Sequence, residues 1–198
     1  MDQCLYLNVS RWRPGQRIGR GHFASVYTIE NNGDLVIKIS RLEVEDLYNP
    51  DIPLATFKER VDIQNELAAL GYTVPVEDSW ECLGEEEYGV IVMKRLEPLK
   101  GYLQRIAIDK TNIFSSIYSS IQGIGKYADV ITSISEIVKG IHKHGYIHGD
   151  LKLDNLMVDR EGKIYLIDFD YARRTRDARL VDNDLRALEK TVKEIMRL

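Results

Sequence analysis

The sequence predicts an α+β fold whose strands and helices are segregated into two halves, and three observations carry that prediction. Apolar alternation and turn signals mark strands over 16–40, 74–82 and 87–94. Beyond Pro98 the pattern becomes helical, with Val130, Ile131, Ile134, Ile137, Val138 and Ile141 repeating at helical spacing over 126–144. Only two short strands, 156–159 and 164–167, precede a last amphipathic helix over about 182–197.

Taken in order, the segment Val26 to Ile29 and the run Leu35-Val36-Ile37-Lys38-Ile39 flank Asn31-Asn32-Gly33-Asp34, a strong hairpin signal. A loop with Pro50 and Pro53 follows. Thr56-Phe57-Lys58-Glu59 reads as a capping box opening a helix to about Leu70, with Gly71 as its stop. The acidic turn Gly84 to Glu87 joins the next two strands. Residues 109–125, rich in Ser, Thr and Gly, read as a flexible insertion. Leu185, Leu188, Val192 and Ile195 give the last helix its apolar face, while Trp12 and Trp80 read as core or rim packing.

The 198 residues suit one domain or two small lobes. Hydrophobic residues at 44% and charged residues at 29% are ordinary globular values, which exclude a disordered or fibrous chain. Lys and Arg number 27 against 31 Asp and Glu, a net charge of −4, so a general nucleic-acid or membrane-surface role is disfavoured. Cys4 and Cys82 make no disulfide framework and no metal spacing, and fit reduced thiols. The N-terminus MDQCLYLNVS lacks a secretory signal, and the longest apolar run, Tyr88 to Met93, is too short to span a bilayer. The expectation is a cytoplasmic protein, or one secreted into a host cytoplasm by a route leaving no such signal.

Four elements in one order carry the chemistry. Ile18-Gly19-Arg20-Gly21-His22-Phe23-Ala24-Ser25-Val26 is a strand–turn–strand whose Gly19 and Gly21 let backbone approach phosphate oxygens. Lys38 ends an apolar strand and needs an anion. Glu66 and Glu59 lie on one face of the 57–70 helix; Glu66 is preferred as the partner because Leu70-Gly71 follows it. His148-Gly149-Asp150-Leu151-Lys152-Leu153-Asp154-Asn155 offers a carboxylate to take a hydroxyl proton, an ammonium to neutralise a phosphoryl group and an amide oxygen for a magnesium ion. The apolar strand Ile164 to Ile167 then delivers Asp168-Phe169-Asp170, and a carboxylate at a strand end suits a hard, oxygen-seeking ion. His142, His144 and His148 resemble a ligand cluster only in spacing, since two sit at a helix end and one belongs to the Asp150 loop.

From Ile18 to Arg174 the sequence resembles a protein kinase, most closely over NLMVDREGKIYLIDFDYAR. The resemblance implies a single minimal domain over 1–198, with a strand-rich N-lobe to about residue 95, a reduced helical C-lobe from about 96, and ATP as cofactor. It makes Gly19, Gly21 and Phe23 the phosphate cover, Lys38 braced by Glu66 the α/β-phosphate grip, and Lys94-Arg95-Leu96 the hinge. Met93 would guard the back of the adenine pocket, with Val26, Val36 and Met157 against the ring. Asp150 would be the catalytic base assisted by Lys152, and Asn155 and Asp168 the ligands of Mg²⁺, for which Mn²⁺ can substitute.

The departures are as informative. Gly149 replaces the arginine that binds a phosphorylated activation loop, so such control is expected to be absent. Asp170 replaces a glycine, which restricts flipping of the motif and offers a further oxygen near the metal. Only fifteen residues separate Asp168 from Asp184, which resembles the aspartate that steadies the catalytic loop; a full activation segment is lacking, and Arg173, Arg174, Arg176 and Arg179 fill the gap, either as a solvated loop face or as a receptor for an acidic or phosphorylated partner. The sequence stops at Leu198, so the later C-lobe helices are not expected. The leading expectation is a constitutively active Ser/Thr protein kinase, favoured by Lys152. Small-molecule phosphotransferases of the aminoglycoside and choline type share His148-Gly149-Asp150, and a nucleotide-binding pseudokinase is the third reading. Compact bacterial effector and viral kinases lack the same segment, which implies a monomer acting on a host regulatory protein or a chaperone such as Hsp90.

Overall fold

A computed structural model describes residues 11–21, 23–42, 54–83, 87–108 and 116–198, with the side chains of 107, 108 and 116–126 excepted. His22, the Pro50–Pro53 loop, Cys4, most of the acidic turn and residues 109–115 lie outside the described residues. The chain divides into two compact units: residues up to 69 with 74–95, and residues 70–73 with 96–198.

The first unit is one antiparallel sheet with a helix. Its strands are β1 (Pro14–Arg20), β2 (Ala24–Ile29), β3 (Asn32–Arg41), β4 (Val76–Cys82) and β5 (Tyr88–Lys94), in the order β1-β2-β3-β5-β4. The β2–β3 turn forms where expected. Asn31 takes a left-handed φ of 61°, and the Asn32 side-chain oxygen accepts from the Asp34 and Leu35 amides at 3.0 and 3.2 Å. Because side chains alternate across a strand, one sheet face collects Ile29, Ile37, Val90 and Val92, against which Trp12, Leu35, Ile39 and Trp80 pack. Both tryptophans are therefore packing residues; the Trp12 ring N–H also donates to Asp78 at 2.8 Å.

Helix α1 (Phe57–Ala69) opens with the expected capping box: the Thr56 amide donates to Glu59 Oε2 at 2.8 Å and the Glu59 amide to Thr56 Oγ1 at 3.3 Å. Its inner face is Phe57, Arg60, Ile63, Gln64 and Leu67. Cys82 at the end of β4 is buried and disulfide-bonded, which corrects the expectation of reduced thiols.

The second unit contains β6 (Glu97–Pro98), α2 (Leu99–Ile108), α3 (Ser116–Lys143), β7 (Tyr146–Ile147), a 3-10 turn (Leu153–Asn155), β8 (Leu156–Val158), β9 (Ile164–Leu166), β10 (Arg173–Arg174) and α4 (Ala178–Ile195). Strands β6, β8 and β9 form one small sheet, and β7 pairs with β10. The core is built on Leu99, Leu103, Ile134, Val138, Ile141, Leu156, Leu166 and Ile195, each at most 1% exposed. Burying one such side chain stabilises the unit by roughly 1.5–3 kcal/mol.

Two helix boundaries differ from expectation. Helix α3 begins at Ser116, so most of the stretch read as a flexible insertion is helical, and the Ile and Val pattern further along supplies the packing that overrides its poor propensity. Helix α4 begins at Ala178 rather than about 182, because the Asp177 side chain accepts from the Arg179 amide at 2.9 Å and caps it there.

Residues 70–73 lie between α1 and β4 in sequence yet belong to the second unit. The Leu166 amide donates to the Tyr72 carbonyl at 3.0 Å. The Tyr72 ring occupies the space over Gly140, where a Cβ would come within 2.3 Å of it.

Candidate active site

In the first unit, strand register places the residues singled out from the sequence. Gly19 pairs with Val26 across β1 and β2, and a Cβ on Gly19 would stand 3.4 Å from that of Val26. The Gly21 amide donates to the Ala24 carbonyl at 2.8 Å and closes the turn, while the Phe23 carbonyl accepts from the Arg41 amide. Val26 pairs with Lys38, and Lys38 with Ile91; Thr28 pairs with Val36, and Val36 with Met93. Paired residues share a sheet face, so Val26, Lys38, Val36 and Met93 emerge on the face opposite the Ile37–Val92 cluster.

Helix α1 carries Glu66 on its exposed side, whereas Glu59, the alternative partner for Lys38, is drawn into the capping box with Thr56. Arg95 is exposed, and its amide donates to the Asp34 carbonyl at 2.7 Å. Gln64, which the sequence reading passed over, is buried on α1 and reaches Met93; an amide between Ile63 and Leu67 at helical spacing was the available signal.

In the second unit, one loop holds Asp150, Lys152 and Asn155, three of the residues singled out from the sequence. Lys152 Nζ lies 2.6 Å from Asp150 Oδ2. The Asn155 amide nitrogen donates to the Asp150 carbonyl at 2.8 Å and to its Oδ2 at 3.1 Å. With that nitrogen committed, the carboxamide oxygen is the group left to meet a cation.

The backbone brings Asn155 and Asp168 to the same end of the β8–β9 ladder. Leu156 pairs with Leu166, and the Ile167 amide donates to the Asn155 carbonyl at 3.0 Å. Asp168 follows with a left-handed φ of 70°, a strained backbone that ends the strand there. Met157, on β8, is half-buried and pairs with Tyr165 and Pro98. Asp170 is buried, at 7% exposure.

Three buried side chains fix this loop. His148 is fully buried; its Nε2 donates to the Ile167 carbonyl at 2.9 Å and its Nδ1 accepts from the Asp150 amide at 3.3 Å. Both ring nitrogens are therefore spent, in the neutral Nε2–H tautomer, on tying Asp150 to the approach of Asp168. Phe169 packs edge-on against that ring at 5.3 Å.

Asp184 on α4 accepts from the His148 and Gly149 amides at 2.7 and 2.9 Å and lies 3.1 Å from His142 Nε2. Burial pushes its carboxyl up, but the hydrogen bonds from His142 and the two amides outweigh that and hold it below the usual carboxylate range. His144 Nδ1 meets the Gly140 carbonyl, so each of the three histidines has its own structural partner.

Gly149 sits at φ +78°, and a Cβ there would stand 2.7 Å from the Tyr171 carbonyl oxygen. Tyr171 thus fills the ground over which any side chain at 149 would start. The four-arginine stretch is more structured than the solvated loop expected. Arg173 and Arg174 pair with Ile147 and Tyr146 as β10, Arg174 donates to the Tyr146 hydroxyl at 2.6 Å, and the Thr175 amide donates to the Gly145 carbonyl at 2.8 Å.

The donor set fits a hard divalent cation: one carboxylate and one carboxamide, both oxygen donors, come from residues at the same ladder end. Among the described residues no cluster of three or more His, Cys, Asp or Glu forms a closed cage, and two protein oxygens suit an ion that shares its remaining positions with phosphates and water. No helix among them is long and apolar enough to cross a membrane.

The chain is 28% identical over 188 residues to a probable serine/threonine-protein kinase PknB of Lactococcus lactis, covering 93% of this chain and 27% of that one. It is 27% identical over 181 residues to the serine/threonine-protein kinase BCK1/SLK1/SSP31 of Saccharomyces cerevisiae, covering 84% and 11%. It is 26% identical over 188 residues to mitogen-activated protein kinase kinase kinase 20 of Arabidopsis thaliana, covering 91% and 48%. The chain thus spans less than half the length of each of these curated relatives. The sequence profile of the protein kinase domain matches residues 12–187, and the chain belongs to that family.

Proposed function

We propose that this chain transfers the γ-phosphoryl group of ATP to serine or threonine hydroxyls of a protein substrate, without first being phosphorylated itself. The observation that carries the reading is the Asp150 carboxylate, with Lys152 at 2.6 Å, Asn155 bonded to it, and Asp168 delivered to the same ladder end. Asp150 accepts the proton as the substrate oxygen bonds to the γ-phosphorus, while the bond from phosphorus to the bridging oxygen breaks and ADP leaves. Lys152 offsets charge on the transferring group. Asn155 and Asp168 would hold Mg²⁺, which supplies charge neutralisation on the phosphates when bound. Val26, Val36, Met93 and Met157 are the adenine-facing set of this reading, Gly19, Gly21 and Phe23 cover the phosphates, and Lys38 grips them.

Independence from activation-loop phosphorylation is supported by Gly149 and Tyr171. The position where the family's controlling arginine stands has no side chain and is closed over by the Tyr171 backbone. The β7–β10 pairing and the Arg174–Tyr146 bond order the segment after Asp168 without any phosphate. The substrate class that resemblance to compact effector kinases implies is a host regulatory protein or a chaperone such as Hsp90.

The test is transfer of labelled γ-phosphate from Mg-ATP by purified protein, offered a eukaryotic lysate and, separately, small alcohols and amines. Labelled Ser/Thr in protein bands that vanish with Asp168→Ala is the expected result. Labelling of small molecules alone would replace this reading with a small-molecule phosphotransferase, and ATP binding without transfer would leave a pseudokinase.

A further inference from the structure

Gln64 is 6% exposed on the inner face of α1, between Ile63 and Leu67, and Arg60, bonded to the Ala55 carbonyl, is the other polar side chain buried on that face. A primary amide in such a place is costly unless its hydrogens are directed somewhere. Its nitrogen donates to the Val74 carbonyl at 3.0 Å and to Met93 Sδ at 3.7 Å. Both N–H bonds are thereby committed, one to the backbone leading into β4 and one to a thioether on β5. Val36 on β3 and Val76 on β4 flank Met93 across the sheet, and the amide joins the helix to Met93 itself and to the Val74 carbonyl just before β4.

The direction matters because of what is being held. Methionine has three rotatable side-chain bonds and a weakly accepting sulfur, so apolar packing alone leaves it several rotamers. An N–H aimed at the sulfur selects among them. Leucine or methionine at position 64 would fill the same volume and select nothing.

We propose that Gln64 is a positioning residue for nucleotide discrimination: it fixes the Met93 side chain, and so the depth of the site behind the adenine, by clamping its sulfur to α1 and to the Val74 carbonyl. The proposal rests on the reading of Met93 as the residue behind the adenine ring, and deepens it.

The test compares wild type, Gln64→Met, Met93→Leu and the double variant for ATP binding, for kcat and KM with ATP, and for kcat/KM with N6-benzyl-ATP relative to ATP. Thermal melting checks that each is folded. Gln64→Met keeps the volume and loses both donations; its KM for ATP should rise about three- to tenfold, the range spanned by one lost neutral hydrogen bond, with a smaller change in kcat. Its preference should move toward the bulky analogue by a similar factor. Met93→Leu, which removes the sulfur while keeping the number of side-chain heavy atoms, should reproduce most of that shift, and the double variant should add little to either.

Unchanged KM and preference in Gln64→Met, or effects of the two substitutions that simply add, would overturn the proposal. If Gln64→Met does not fold, Met93→Leu alone decides, because unaltered discrimination there overturns it as well. A wild type that binds no ATP refutes the nucleotide reading and this proposal together; an active wild type with unmoved variants refutes only the role of Gln64.

Discussion

In the first unit Val26, Lys38, Val36 and Met93 hold their places because three antiparallel strands pair in one register. In the second, Asp150 and the segment leading to Asp168 are held by hydrogen bonds from a few buried polar side chains. The two arrangements fail differently. Register is shared among many backbone bonds, so one side chain can change without moving its neighbours, whereas a one-residue slip would turn every one of them to the other face. The catalytic loop depends on His148, Asn155 and Asp184, and removing any one leaves buried donors or acceptors unanswered.

Breaking the chemistry while keeping the loop should have the largest effect. Asp150→Asn should lower kcat by about 10²–10⁴, the range for a lost general base, and leave the melting temperature close to wild type. Steady-state kinetics with a protein substrate, paired with thermal melting, checks both. Breaking the loop instead should affect stability as well. Asp184→Ala strands the His148 and Gly149 amides, which should cost about 2–5 kcal/mol and lower both the melting temperature and the rate. Asp184→Asn, which keeps an acceptor, should lose less.

Gly149→Ala sharpens the same comparison through backbone. The left-handed φ and the Tyr171 carbonyl oppose a Cβ together, at about 1–3 kcal/mol, read from denaturant unfolding. The corresponding test in the sheet is mild: Val36→Ile keeps the register and should change stability by less than about 1.5 kcal/mol.

Acid should test the second arrangement directly. The folded Asp184 carboxyl titrates below its ordinary value of 3.8, so its contribution is fully present above the ordinary range and is lost as pH falls through the lower folded value. The acid side of a melting-temperature profile should flatten in Asp184→Asn. Smallest of all, Lys58→Ala removes an exposed pair with Asp62, and the melting temperature should stay within about one degree.

These contrasts also explain what could be read from the sequence. The hairpin at Asn31–Asp34, the capping box at Thr56–Glu59 and the β8–β9 pair were legible because turn and cap chemistry is local. The mutual contacts of Asp150, Lys152 and Asn155 lie within one short loop, so their closeness was legible from spacing alone. Strands β6, β7 and β10, two residues each, were not, since their partners are distant in sequence. The start of α3 was hidden by Ser and Gly, whose weak propensity tertiary packing overrides. In the site, Asp184 was recognised by its resemblance to the aspartate that steadies the loop, despite its short distance from Asp168, but its contact with His142 and the reach of Gln64 to Met93 depend on packing that no local pattern encodes.

The four residues Leu70–Thr73 make the second unit discontinuous along the chain. On a ribosome they emerge long before Gly140 and Leu166, so Tyr72 and Thr73 wait as uncovered surface while the rest of their unit is synthesised. A fragment starting at Leu96 would carry a hollow at Gly140 where the Tyr72 ring belongs and a Leu166 amide without its acceptor. Any dissection of this kinase into separately expressed halves must therefore supply that tetrapeptide to the second half, by circular permutation or as a linked segment.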